Sequence, residues 1–146
     1  MQASHDPAEI LSTRVVDAPR EKVFRAWREP GHLTRWFGPD GFTSTFEHFD
    51  FRAGGDWKFT FHGPDGKDYA NHFTFREVQP SRIVIEHLSQ PHFVLESDFE
   101  EVAGKTRVTW HQRFDSAEIR DKLAPICVPA NEQNFDRLEA ELRRMD

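Results

Sequence analysis

Proton transfer and nucleophilic attack draw on histidine, cysteine, tyrosine or paired carboxylates. In this chain of 146 residues the first three can be inspected one by one: eight His, one Cys and one Tyr. His5, His32 and His92 fall near the terminus or in turns, and residue alternation turns His62, His72 and His111 to solvent. His48 and His87 remain for an interior. Either could act as a general acid or base with Tyr69 as the second titratable group. The simpler role for His87 is a neutral ring held by Asn71, Ser97 or a carbonyl. Cys127 lies between Pro125 and Pro129 in an apolar segment, a setting that raises a thiol's pKa and leaves it inert. GxSxG, HExxH, CxxC and Gly-rich phosphate loops are all absent from the sequence, so no metal and no cofactor are expected.

Such groups need a scaffold, and composition bounds it. The length fits one domain, 1–146, with residues 1–8 expected to be disordered. One cysteine allows no intrachain disulfide, and residues 1–11 lack the basic and apolar segments of a secretion signal. No run reaches the roughly 18 apolar residues of a membrane span. A cytoplasmic protein without membrane contact is expected, a monomer or homodimer. A formal net charge of -6 opposes binding to phosphate backbones, so nucleic acid is not an expected partner.

Periodicity supplies the elements. Glu9–Val16 alternates as a strand, stopped by Asp17, Ala18 and Pro19, with Asp17 placed to cap a short amphipathic helix at Arg20–Arg28. A further helical turn fits His32–Phe37. From there the period is two, with strands predicted at Phe42–Phe51, Asp56–His62, Asp68–Val78, Arg82–Leu88, Phe93–Val102 and Lys105–Phe114. Gly, Pro, Asp and Ser bound them, and the short turns imply an antiparallel meander. Mixed parity in the second strand suggests a bulge near His48. Ser116 opens a short helical piece to Leu123, Pro125 and Pro129 interrupt it, and a long amphipathic helix follows over Pro129–Met145. The fold class is α+β, with seven strands, two short helices between the first and second, and a long C-terminal helix.

Polarity assigns the sheet's inner face. Trp57, Phe59 and Phe61 point inward, as do Tyr69, Asn71 and Phe73, then His87, Ser97, Trp110 and Gln112, with Asn131 and Phe135 approaching from the helix. Rings outnumber what one helix would cover. An apolar face with a few fixed polar groups is the composition of a small-molecule site, and these twelve side chains are the expected ligand-binding set.

The runs VVDAPREKVFRAWREPGHLTRWFGP (15–39), FRAGGDWKFTFHGPDG (51–66) and NFDRLEAEL (134–142) closely resemble the bacterial Aha1-like proteins, activator of Hsp90 ATPase homologues, of the START-like (SRPBCC) superfamily. The resemblance covers nearly the whole chain. It implies a helix-grip fold, a curved antiparallel sheet wrapped round the C-terminal helix with an internal cavity between them. In the eukaryotic co-chaperone, Hsp90 activation depends on an additional N-terminal domain, which is not expected here because the first START-like strand begins near residue 9. START-like relatives enclose small hydrophobic molecules, mostly as binders and in some branches as cyclases. Binding of a small hydrophobic or aromatic molecule is therefore the expected function. An enzyme of the cyclase or hydrolase type using a cavity histidine is the alternative, and contact with a chaperone a third reading.

Overall fold

In the computed structural model, residues 6–145 are described. The elements run β1 (Glu9–Val16), α1 (Arg20–Arg28), α2 (Pro30–Trp36), β2 (Thr43–Phe49), β3 (Asp56–His62), β4 (Asp68–Gln79), β5 (Arg82–His87), β6 (Phe93–Val102), β7 (Lys105–Phe114) and α3 (Ala117–Arg144). The seven strands form one antiparallel sheet in the order β1-β7-β6-β5-β4-β3-β2. Strands β1, β3, β6 and β7 begin and end where alternation predicts, because Gly, Pro and Asp punctuate each of them. The β3–β4 hairpin shows the chemistry: Gly66 N donates to Gly63 O at 3.0 Å and Lys67 N to Asp65 Oδ1 at 3.0 Å.

Apart from β2 and β4, where register shifts change the parity, each strand sends one parity inward. Trp57, Phe59, Phe73, Phe75, Ile83, Ile85, Leu95, Phe99, Val108 and Trp110 are buried there, against Phe135, Leu138 and Leu142 of α3. Helices α1 and α2 close one end with Trp27 and Trp36, and the Trp36 indole N–H donates to Ala26 O at 3.0 Å. The outer parity carries cross-strand ion pairs, among them Arg82 with Glu96 and Asp98, Arg107 with Glu100, and Arg113 with Glu96. Polarity thus fixes the register, since a slip of one residue would bury these charges. Arg14 on β1 reaches Glu132, Asp136 and Glu139 at 2.6–2.8 Å, tying the helix to the sheet edge.

Four expectations need correction. The helical piece at Ser116 and the long helix are one continuous α3, with Pro125 and Pro129 inside it. The carbonyls those prolines leave without a helical donor are four residues earlier, at Asp121 and Pro125, and both residues are exposed, so water can satisfy them. Ser116 caps the whole helix by accepting from Ile119 N at 3.1 Å. Asp17 does not cap α1; Pro19 occupies the N-cap position and makes no side-chain bond there. The second helix begins at Pro30 itself, whose missing N–H is not needed in a first turn. The β2 bulge lies between Phe46 and His48 as parity suggested, and it leaves His48 exposed, outside the interior.

The disorder expected for residues 1–5 lies outside the described residues. Residues 6–8 form a turn in which Ala8 O accepts from Phe114 N at 3.0 Å.

Candidate functional site

Strand pleating places alternate side chains of five neighbouring strands beneath α3, whose stretch from Leu123 to Asn134 faces them across a gap. A cavity of about 370 Å³ lies between them. Its floor is Phe61 of β3, Asn71 and Phe73 of β4, and His87 of β5. Phe93 and Leu95 of β6 and Trp110 and Gln112 of β7 continue it. The roof is Leu123, Ile126, Cys127, Ala130, Asn131 and Asn134, all on α3. Phe37, Gly38 and Pro39 wall one end, and Pro91 contributes at the other strand ends.

Seven of the twelve expected residues are brought together: Phe61, Asn71, Phe73, His87, Trp110, Gln112 and Asn131. The other five are placed elsewhere. Phe37 lies 5.0 Å from Trp57 and 6.3 Å from Phe59 between ring centroids and packs them into the core away from the lining. Phe135 packs on Trp110 at 4.9 Å under the second half of α3. Ser97 is fully buried and accepts from the Trp110 indole at 3.0 Å. Tyr69 is 43% exposed at the end of β4, where its hydroxyl donates to Asp65 at 3.2 Å. Tyr69 and His48 therefore offer no second titratable group to His87.

Sequence reasoning missed Phe37 and most of the roof. Leu123, Cys127, Ala130 and Asn134 recur at helical spacing and carry the signal, which is visible once Pro125 and Pro129 are allowed inside the helix.

The polar groups of the lining are mostly bonded within the protein. His87 Nδ1 donates to Pro91 O at 2.6 Å, while Nε2 lies 2.7 Å from the Asn71 side-chain amide and 3.0 Å from Ser89 Oγ. The ring stands between Phe73 and Phe93, 4.7 Å from each centroid. Burial pushes its pKa below the ordinary value, with the Pro91 carbonyl bond opposing in part. Both nitrogens are engaged: with a proton on Nδ1 for Pro91 O, Nε2 can accept from the Ser89 hydroxyl. Asn134 Oδ1 accepts from Gly38 N at 2.7 Å and its Nδ2 donates to Ala130 O at 2.9 Å. Arg137 donates to the carbonyls of Gly38, Pro39 and Arg35 at 2.7–3.0 Å, so α3 holds the loop that walls the cavity. Gly38 has φ +127°, and a Cβ there would come within 2.8 Å of the Phe61 ring.

None of the lining residues is Asp, Glu, Lys or Arg. Burial raises the Cys127 pKa, which keeps it a thiol. Among the described residues no group of three His, Cys, Asp or Glu could hold a metal ion, and no helix is long and apolar enough to cross a membrane. The arrangement can enclose an apolar body and offer it a few hydrogen bonds.

A seven-stranded antiparallel sheet gripping one long C-terminal helix, with α1 and α2 between β1 and β2, defines a START-like helix-grip domain. The model of the family described as activator of Hsp90 ATPase homolog 1-like protein matches residues 17–143, and the chain belongs to that family. Solved structures share the fold. A protein of Rhodobacter sphaeroides is 20% identical with a TM-score of 0.87, each chain covered over 99% of its length. One from Arthrobacter aurescens is 22% identical with a TM-score of 0.86, covering 95% of this chain and 88% of its own. Another, from Mycobacterium smegmatis, is 22% identical with a TM-score of 0.85, covering 99% and 98%. No curated protein matches the chain at a significant level.

Proposed function

We propose that this chain binds a small hydrophobic or aromatic molecule in the cavity between the sheet and the first half of α3. The observation that carries the reading is the lining itself: about 370 Å³ bounded by Phe, Trp, Leu, Ile and Pro side chains with no ionised group among them. Such a volume matches about a dozen waters, room for a molecule of two or three rings. Turnover has less support, because both nitrogens of His87 are held by protein groups and a general acid or base needs one aimed at the substrate.

The neutral fluorophore N-phenyl-1-naphthylamine tests this. With 17 heavy atoms at roughly 0.3 kcal/mol each, a Kd on the order of 100 micromolar is expected. Binding should saturate at one site and draw energy from Trp110. Ala130→Phe, which fills the cavity from the roof, should abolish it while far-UV circular dichroism stays that of the wild type. Undiminished binding in that variant would place the site elsewhere.

A further inference from the structure

The lining leaves two polar atoms open. Asn131 Nδ2 donates to Gln112 Oε1 at 3.1 Å and to Ser12 Oγ at 3.3 Å. Both amide residues are 6% exposed and both line the cavity. Among the described residues nothing bonds to Asn131 Oδ1 or Gln112 Nε2, and neither atom is sealed from accessible space. The other polar side chains of the lining are engaged: His87 at both nitrogens, Asn71 with His87 and Tyr69 O, and Asn134 with Gly38 N and Ala130 O.

One bond between two side-chain amides uses an N–H of one and the carbonyl of the other. A carbonyl on the first and an NH₂ on the second must remain. Reversing both amides exchanges these roles, with the Ser12 hydroxyl donating instead of accepting, and still leaves one donor beside one acceptor. The pairing is therefore the same in either orientation that keeps the two amides bonded.

We propose that this pair recognises a neutral amide edge on the ligand, a lactam or carboxamide carried on an aromatic body. The inference rests on the cavity being the binding site proposed above. A lactam presents N–H and C=O on one edge, complementary to the acceptor and the donor that this bonded pair leaves over. A carboxylate or an ammonium group would enter a lining that has no counter-charge, which opposes ionised ligands. An ether or ketone offers no donor, and Asn131 or Gln112 would then keep a buried polar atom unpaired.

Displacement of N-phenyl-1-naphthylamine by three compounds of similar shape tests the proposal: 2-quinolone, 1-methyl-2-quinolone and naphthalene. In the wild type, 2-quinolone should compete about tenfold better than the other two, since it alone completes both hydrogen bonds. In the double variant Gln112→Leu/Asn131→Leu, which replaces both partners with apolar groups of similar size, the three should become equal. Equal competition in the wild type overturns the inference and leaves the cavity reading standing, as does a preference that survives in the double variant. Failure of the fluorophore itself to bind overturns both. Should circular dichroism show the double variant unfolded, the wild-type comparison of 2-quinolone with its N-methyl form decides alone.

Discussion

The two halves of α3 do different work. From Asn131 to Arg144 the helix buries Asn131, Asn134, Phe135, Leu138, Glu141 and Leu142, with its C-cap Met145 buried beyond them, and is tied to β1 through Arg14. From Ala117 to Ala130 no residue is buried, two prolines interrupt the hydrogen-bond ladder, and Ile126 is 67% exposed. The first half is roof, and the second is core except at Asn131 and Asn134, which still line the cavity. The difference shows how a helix-grip domain keeps a void: the sheet is gripped where ring and aliphatic stripes meet, and the cavity opens where the stripe thins to Leu123, Cys127 and Ala130. Stability and binding are thereby assigned to different residues of a single helix.

The largest test of that contrast is truncation. Phe135→Ala or Leu138→Ala should lower stability by about 2–5 kcal/mol, while Leu123→Ala or Ile126→Ser should stay within about 1 kcal/mol. Urea midpoints measure both. Equal losses in the two halves would abolish the distinction.

Next is the roof's own defect. A proline inside a helix is roughly 3 kcal/mol worse than alanine, and in a half-exposed turn part of that should be recoverable, so Pro129→Ala is expected to stabilise by about 1–2 kcal/mol. A fall in melting temperature would mean that Pro129 packs as part of the core.

The smallest effect concerns protons beneath the roof. His87, its pKa lowered by burial, takes up a proton at lower pH in the folded chain than in the unfolded one. Between its folded pKa and the ordinary value near 6.5 the unfolded state holds more protons, so stability is complete above that value and declines as pH falls through the window. His92, raised by hydrogen bonds to Glu86 and Asp115, acts in the opposite sense, and its contribution is lost as pH rises through its folded pKa. His87→Gln should therefore lose less stability than wild type between about pH 7.5 and pH 5.5. An identical acid-side decline in both proteins would remove His87 from the account.

Strand identity and facing were legible because period-two alternation and Gly, Pro and Asp punctuation act locally. Trp57, Phe59 and Phe61 show where that ends. They share one parity, yet only Phe61 reaches the cavity, since Phe37 packs on the other two from a loop 20 and more residues earlier. Alternation tells which face a ring occupies and nothing about what covers it. The roof was hidden by a local rule that tertiary context overrode: Pro125 and Pro129 read as helix breaks, but exposure lets water take the freed carbonyls. Gln112 and Asn131 were found from polarity alone, as inward polar residues on an apolar face.

Gly38 limits the sequence variation that the fold can absorb. Its φ is one that side chains rarely adopt, Phe61 stands where a Cβ would go, and its N–H and C=O are held by Asn134 and Arg137. Gly31, seven positions earlier on α2, has open space where its Cβ would be and no such φ. As the family diverges, position 31 has room for a side chain, whereas position 38 is held to glycine by its φ, and residues 61, 134 and 137 are fitted to that glycine. Those four positions form a single unit of inheritance that joins a loop, a strand and the seam between the two halves of α3.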